Sequence, residues 1–319
     1  MPRRPRWWLR WLRWLGFGFL AVVLLLTAFC LLYNAKTAGR ASPPGGLRFV
    51  ATDDTQTRYR QWGTTGPPVV LVHGAAESAD TWARMAPVLA ATHRVYALDL
   101  VGWGYTRRVG RPDLDHQVRQ LLAFLDALGI DRPVLAAHSS GAAVAAEATL
   151  RAPGRISGLL FLDGDALATG AGQRSPARFL AVDPYRTAIL RLAIRSDTVI
   201  RSVYDRQCGP RCPRLTAADV DGWRRPFQVP GAENSIWQLL DLGVPGLSES
   251  RLHELATVPV PKRVVFGAGD SVFDPDAPAQ TAARIGAPPP TLIPDARHLT
   301  MISDPDRVAA AIGSLPPSI

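Results

Sequence analysis

The residues best suited to covalent chemistry are a serine and its neighbours in Ala137-His138-Ser139-Ser140-Gly141. The motif ends the apolar run PVLAAHS (133–139) and opens the small-residue stretch GAAVAAEATLRA (141–152). A strand that turns sharply into a helix lifts a serine hydroxyl clear of the backbone, and small residues two places to either side let strand and helix pack closely. Ser139 meets that pattern, with Ala137 standing where a glycine is usual. Centring the turn on Ser140 would put His138 at a position that must be small, so Ser139 is the candidate nucleophile. The competing view is a serine-rich turn that merely caps a helix. A serine hydroxyl is a weak nucleophile until a base takes its proton and a carboxylate orients that base. Six histidines could serve as the base, namely His73, His93, His116, His138, His253 and His298. Such chemistry needs neither a metal nor an organic cofactor, and none is expected.

The elements that must position these groups alternate along the chain. LRFVAT (47–52) and TRYRQW (57–62) read as a hairpin about Asp53-Asp54. PVVLVHG (68–74) is short, apolar and β-branched, which marks a buried strand. ADTWARMAPVLAAT (79–92) reads as a helix and RVYALDL (94–100) as a strand. Over residues 113–129, Val118, Leu121, Leu122, Leu125 and Leu128 share one helical face. The strand before the elbow, the helix after it and ISGLLFLDG (156–164) continue the rhythm. From about 165 to about 255 come helical pieces and turns without a clear strand. PKRVVFGAGD (261–270) restores the strand pattern, and a helix near 276–285, a strand at 290–294 and a helix at 304–314 follow. Strand–helix alternation of this kind implies a mostly parallel sheet covered on both faces, here with one helical insertion.

With the elbow set in that order of elements, residues 45–316 resemble the α/β-hydrolase family. The resemblance implies an eight-stranded, mostly parallel α/β sheet with helices on both faces and a helical cap. His73-Gly74, followed by Trp82, is similar to the family's oxyanion segment, so the backbone N–H groups of Ala75 and Ser140 would cradle the tetrahedral oxyanion. Asp99-Leu-Val-Gly102-Trp-Gly104-Tyr-Thr106 resembles the family's Asp-x-x-Gly-x-Gly-x-Ser loop, read here as architectural. In this family the acid and the histidine follow the serine in that order. His298, in Pro-Asp-Ala-Arg-His-Leu after the last strand, is the implied base, and Asp270, in Gly267-Ala-Gly-Asp270, is the implied acid. Asp274 and Asp163 compete with Asp270 for that role. A serine at the elbow sets the chain apart from relatives that use aspartate there, such as haloalkane dehalogenases. The implied activity is carboxylic-ester hydrolysis. A peptidase, an acyltransferase, or an inert tethered binding protein would carry the same residues.

The insertion would form a lid, with Phe179, Leu180, Trp223, Phe227, Trp237 and Leu240 as candidate walls and a hydrophobic ester or acyl compound as substrate. Ahead of the catalytic domain (47–316) lie a basic flank (1–13), a candidate transmembrane helix (14–33) and a Pro/Gly-rich linker (34–46). Trp14 to Tyr33 are 20 residues without a charge, enough at about 1.5 Å per residue to cross a hydrocarbon core of about 30 Å. Five arginines interleaved with Trp7, Trp8, Trp11 and Trp14 precede them, which predicts the N-terminus in the cytoplasm and the catalytic domain outside, periplasmic in a Gram-negative cell. A cleaved signal peptide competes, but the run is longer than the usual apolar core, and its nearest small-residue sites are poor or distant. Seven of the 36 basic residues lie in residues 1–40, which hold no acid; the remaining 29 face 27 acids, a balance of only +2. The basicity thus belongs to the bilayer end, and no nucleic-acid partner is expected. Cys208 and Cys212, in Cys-Gly-Pro-Arg-Cys, would pair if the domain is exported.

Overall fold

The apolar runs pair into one eight-stranded sheet in a computed structural model of the protein, which describes residues 7–38, 41–168 and 182–315. The strands are β1 (Arg48–Thr52), β2 (Thr55–Trp62), β3 (Pro68–Val72), β4 (Arg94–Leu98), β5 (Val134–His138), β6 (Gly158–Leu162), β7 (Lys262–Gly267) and β8 (Thr291–Ile293). Their order across the sheet is β1-β2-β4-β3-β5-β6-β7-β8. β1 and β2 form the antiparallel hairpin, β2 joins β4 antiparallel, and every other pairing is parallel. A parallel neighbour demands a crossover, and the crossovers cover both faces. Alternation along the strands sorts the side chains accordingly: Val69 and Leu71 enter one apolar cluster, Val70 and Val72 the other.

The crossovers are largely those read from periodicity. They include α3 (Leu114–Ala127), α4 (Gly141–Arg151) and α10 (Ala277–Ile285); α12 (Pro305–Gly313), with a short α11 (Thr300–Ser303) before it, follows the last strand. α3 begins where the Asp113 carboxylate accepts the His116 N–H, an N-cap. The expected helix over 79–92 is instead broken into a 3₁₀ turn, Ala79–Trp82, and α2 (Ala86–Leu89). Pro87 explains the break: it lacks an N–H and is tolerated only in a first turn, where it stands here. Trp82 and Met85 are fully buried, so packing holds the broken segment in place.

Between β6 and β7 the chain forms α5 (Tyr185–Arg195), α6 (Asp197–Cys208), α7 (Ala217–Arg224), α8 (Ala232–Leu242) and α9 (Glu249–Thr257). Cys208 and Cys212 are joined in a disulfide. The N-terminal helix α1 runs Trp7–Thr37, and the most apolar 18 residues within its stretch Arg10–Thr37 have mean hydropathy 2.7. By contacts the chain divides into two compact units. One comprises residues 41–173 and 197–319, with the whole sheet; the other comprises 1–40 and 174–196, with α1 and α5. The insertion expected as a single feature is therefore shared between the two. Hydrogen bonds between Thr27 and Tyr185, and from the Asn34 amide to the Pro184 carbonyl, tie α5 to α1.

Candidate active site

The parallel strands all end at one edge of the sheet, and the loops leaving those ends carry His73 and Gly74 (β3), Asp99 (β4), Ser139 (β5), Asp163 (β6), Asp270 (β7) and His298 (β8). Ligands in open α/β sheets bind at this edge because the loops there converge.

Ser139 follows the last residue of β5 and has a left-handed backbone, φ 49°. L-residues pay for that conformation sterically, so it persists only where the surroundings over-determine it. Here the Ser139 N–H donates to the Leu162 carbonyl, and the next helix starts at once. Gly141 is required by proximity: a Cβ there would lie 2.5 Å from the His73 carbonyl oxygen and 2.8 Å from that of Val72. Ala137, at the position where glycine is usual, is fully buried in one of the two apolar clusters, so its methyl group is accommodated.

The Ser139 hydroxyl lies 3.2 Å from His298 Nε2, and His298 Nδ1 lies 2.8 Å from Asp270 Oδ2. A carboxylate can only accept, so Nδ1 carries the proton and Nε2 is free to accept from the serine. The turn after β7 aims Asp270: the Ala268 N–H donates to the Ile293 carbonyl and the Gly269 N–H to that of Ala296. These bonds stitch the acid loop to the histidine loop. The other oxygen of Asp270 accepts from the Val272 N–H at 2.8 Å.

The two competing acids are placed otherwise. Asp274 is exposed. Asp163 is completely buried, and its oxygens accept from the Gly267 N–H and the Thr300 hydroxyl. Burial pushes Asp163 up to about 8, against the pull of His138 and Thr300. Asp163 braces the β7 end, and Asp270 faces the imidazole.

Ala75 follows Gly74, and Ser140 follows Ser139. Among the described residues neither N–H donates to a protein acceptor, and both residues border one cavity of about 260 Å³. Trp103, Leu114, Leu239 and Leu242 supply its apolar wall. A second cavity, of about 340 Å³, runs from Ala76, Glu77 and Ser78 to Tyr204, Trp223 and Phe227 on the insertion. Of the candidate lid walls, Trp223 and Phe227 line that cavity. Trp237 borders neither cavity, Leu240 is 61% exposed, and Phe179 and Leu180 lie outside the described residues. An apolar residue in a surface helix is not thereby a wall residue; its neighbours decide.

One pair went unread in the sequence. His138, one residue before Ser139, is completely buried, with Nε2 2.8 Å from the His298 backbone carbonyl and Nδ1 2.9 Å from Glu77 Oε1. The Glu77 contact is an ion pair set off the line of a hydrogen bond. Both nitrogens face acceptors, so both carry protons. Burial alone would discharge this imidazole, but Glu77 outweighs it and lifts His138 to about 9. Burial likewise opposes the Glu77 charge, and His138 reverses that and holds Glu77 low. The other Glu77 oxygen accepts from the Gly74 N–H at 3.3 Å. Glu77 and His138 thus join the loop of Ala75 to the backbone of His298. The signal was present but silent: a glutamate in the loop after β3 has no local pattern, and only the tertiary fold brings it to His138.

His73 and Asp99 are architectural. The Leu100 N–H donates to His73 Nε2, so Nδ1 carries the proton given to the Gly74 carbonyl, and burial keeps this ring neutral. Asp99 accepts from the Ala79 and Tyr105 N–H groups, both at 2.6 Å, and from Arg58. That set closes the turn at the end of β4, as the loop motif implied.

The family model for the alpha/beta hydrolase family matches residues 69–311 of this chain. Among curated proteins, a haloalkane dehalogenase of Mesorhizobium japonicum is 38% identical over 114 residues, 34% of this chain and 36% of its own length. The dihydrolipoyllysine-residue acetyltransferase component of an acetoin cleaving system from Pseudomonas putida is 28% identical over 249 residues, 77% of this chain and 62% of its own. The match therefore spans less than two thirds of either relative. Among solved structures, a membrane phospholipase A described as a bacterial virulence factor shares the fold over 96% of both chains, with TM-score 0.66 at 22% identity.

Proposed function

This chain belongs to the alpha/beta hydrolase family, and we propose that it is a membrane-anchored serine hydrolase that cleaves carboxylic esters through an acyl-enzyme. The observation that carries this proposal is the run of contacts from Asp270 through His298 to a serine on a strained elbow. Ser139 Oγ attacks the ester carbonyl as His298 Nε2 takes its proton, and Asp270 steadies the imidazolium. The negative charge formed on the carbonyl oxygen falls to the N–H groups of Ala75 and Ser140, each worth about 3–4 kcal/mol in comparable sites. Collapse expels the alcohol with the proton from His298. Water, deprotonated by His298, then attacks the acyl carbon, and Ser139 leaves with that proton. The apolar cavity beside Ala75 and Ser140 supports a hydrophobic acyl group. The printed name of the similarly folded protein, a membrane phospholipase A, points the same way.

We further assign residues 14–33 to the bilayer, 34–46 to a linker and 47–316 to the catalytic domain, held outside the cytoplasm. The arginine-rich flank and the Cys208–Cys212 disulfide support export. A fluorophosphonate probe tests the activity: it should label the wild type at Ser139 and not Ser139→Ala. Absence of labelling of the folded wild type, or labelling that survives the substitution, would overturn the assignment. A series of p-nitrophenyl esters of rising chain length then reads the acyl preference, with the optimum expected beyond acetate.

A further inference from the structure

α5 belongs to the insertion by sequence, yet it is compact with α1. Hydrogen bonds fasten the two helices. The Thr27 and Tyr185 hydroxyls share a hydrogen bond. The Asn34 amide donates to the Pro184 carbonyl at 2.8 Å. Arg191 donates to the Asn34 carbonyl at 2.6 Å, and Arg195 to the Thr37 carbonyl at 3.3 Å. The two arginines thus satisfy end carbonyls of α1, which a helix cannot satisfy itself, and place positive charge at its negative pole. Thr27 and Asn34 lie inside the long apolar helix, so this clasp uses α1 as a permanent part of the fold.

A face of α5 about a quarter-turn round from this clasp, sharing Tyr185 with it, is apolar and open. Ile189 is 51% exposed and Leu192 is 46% exposed; with Tyr185 they are spaced i, i+4, i+7, one stripe along the helix. Val182, just ahead of the helix, is 54% exposed. This stripe needs an occupant. The level of the contacts along α1 says which. At about 1.5 Å per residue, Thr27 sits about 15 Å and Asn34 about 5 Å before the end of α1 at Thr37. α5 therefore joins α1 where a spanning helix leaves the hydrocarbon for the headgroups, with Tyr185 reaching inward and Arg191 and Arg195 at the outer end. An apolar stripe bordered by arginines at that depth is the composition of an interfacial helix.

We infer that α5 lies in the membrane interface beside α1, its Ile189–Leu192 stripe in the acyl chains of the outer leaflet, and that α1 is retained in the mature protein. The inference rests on α1 spanning the bilayer. It assigns the first helix of the insertion to lipid. Ser196 alone separates that helix from α6, whose Tyr204 lines the larger cavity.

The test uses the full chain in nanodiscs of phosphatidylethanolamine and phosphatidylglycerol, on a Cys30→Ser background. Single cysteines at Ile189 and Leu192 carry a bimane label, and doxyl-labelled lipid is the quencher. Leu20→Cys reports α1 itself, and Ser250→Cys reports an exposed position on α9. Quenching at 189 and 192 is expected to be at least threefold that at 250. Strong quenching at 20 with values at 189 and 192 no higher than at 250 would sink the inference and leave the anchor intact, as would cross-linking of two copies through position 189. Weak quenching at 20 would bring down the anchor assignment itself. Intact mass spectrometry of the purified protein should show residues 1–37 still attached; their loss overturns the retained helix.

Discussion

In the hydrolase unit the polar groups that brace the site, such as Asp99 and His138, are buried and held from more than one element; in the helix pair of α1 and α5, polar groups do the fastening and apolar ones face outward. Asp99 takes hydrogen bonds from Ala79, Tyr105 and Arg58, and His138 spans Glu77 and the His298 backbone. In the helix pair, Ile189 and Leu192 remain open while Asn34 and Arg191 make the join. The difference reflects solvent. A buried dipole must be satisfied inside the protein, whereas a helix whose neighbour is hydrocarbon gains nothing by hiding leucine. Precise geometry therefore belongs to the sheet edge, and the proposed placement against lipid to the helices.

That contrast can be broken most sharply at Asp270. Asp270→Asn should leave the fold intact and lower kcat by about 10⁴-fold, because an amide no longer fixes the tautomer of His298. Steady-state rates on a p-nitrophenyl ester, beside a circular-dichroism spectrum, check both halves. Glu77→Gln should act next, lowering kcat by about 10- to 100-fold through displacement of the loops it ties, with KM little changed. A kcat unchanged by that substitution would make the Glu77–His138 pair a matter of stability alone.

Proton linkage gives a third test. His138 is raised from its ordinary 6.5 to about 9, so its contribution is complete below pH 6.5 and is lost as pH rises through 9. Asp163, raised to about 8, acts in the same direction: the folded state keeps a proton that the unfolded chain has shed. Glu77 is lowered, so its contribution is lost only on acidification and stays constant between pH 7 and 9.5. The melting temperature should thus fall between pH 7 and 9.5. A loss on the order of 3 kcal/mol from His138 corresponds to roughly 5–10 °C in a domain of this size. A flat profile would mean that the pair is not ionised.

The smallest effects are expected on the insertion. Trp223→Ala, in the larger cavity, should raise KM a fewfold for bulky esters with kcat nearly kept, while Leu240→Ser, at a solvent-facing side chain, should change neither. A large loss of kcat from Leu240→Ser would erase the distinction between sheet edge and insertion.

Legibility followed sequence distance. The elbow could be read because Ala137, Ser139 and Gly141 are neighbours whose sizes are constrained together, and because the strand and the helix on either side are short and periodic. His298 and Asp270 could be read from family order, and the structure brings both within hydrogen-bonding distance of the expected partners. The Glu77–His138 pair could not, since nothing near Glu77 in the chain signals a partner. Nor could the joining of α5 to α1, which rests on single polar atoms far apart in sequence. The broken helix at 79–92 was visible in principle: Pro87 is a local fact that the amphipathic pattern outweighed.

The left-handed backbone of Ser139 means that this protein holds its active form under tension. Glycine occupies that conformation freely, so Ser139→Gly should melt higher than the wild type, by about 1 kcal/mol of released strain, while losing all turnover. The most durable version of the molecule is thus an inert one. On the proposed mechanism the strain at this position is what the hydroxyl of Ser139 requires.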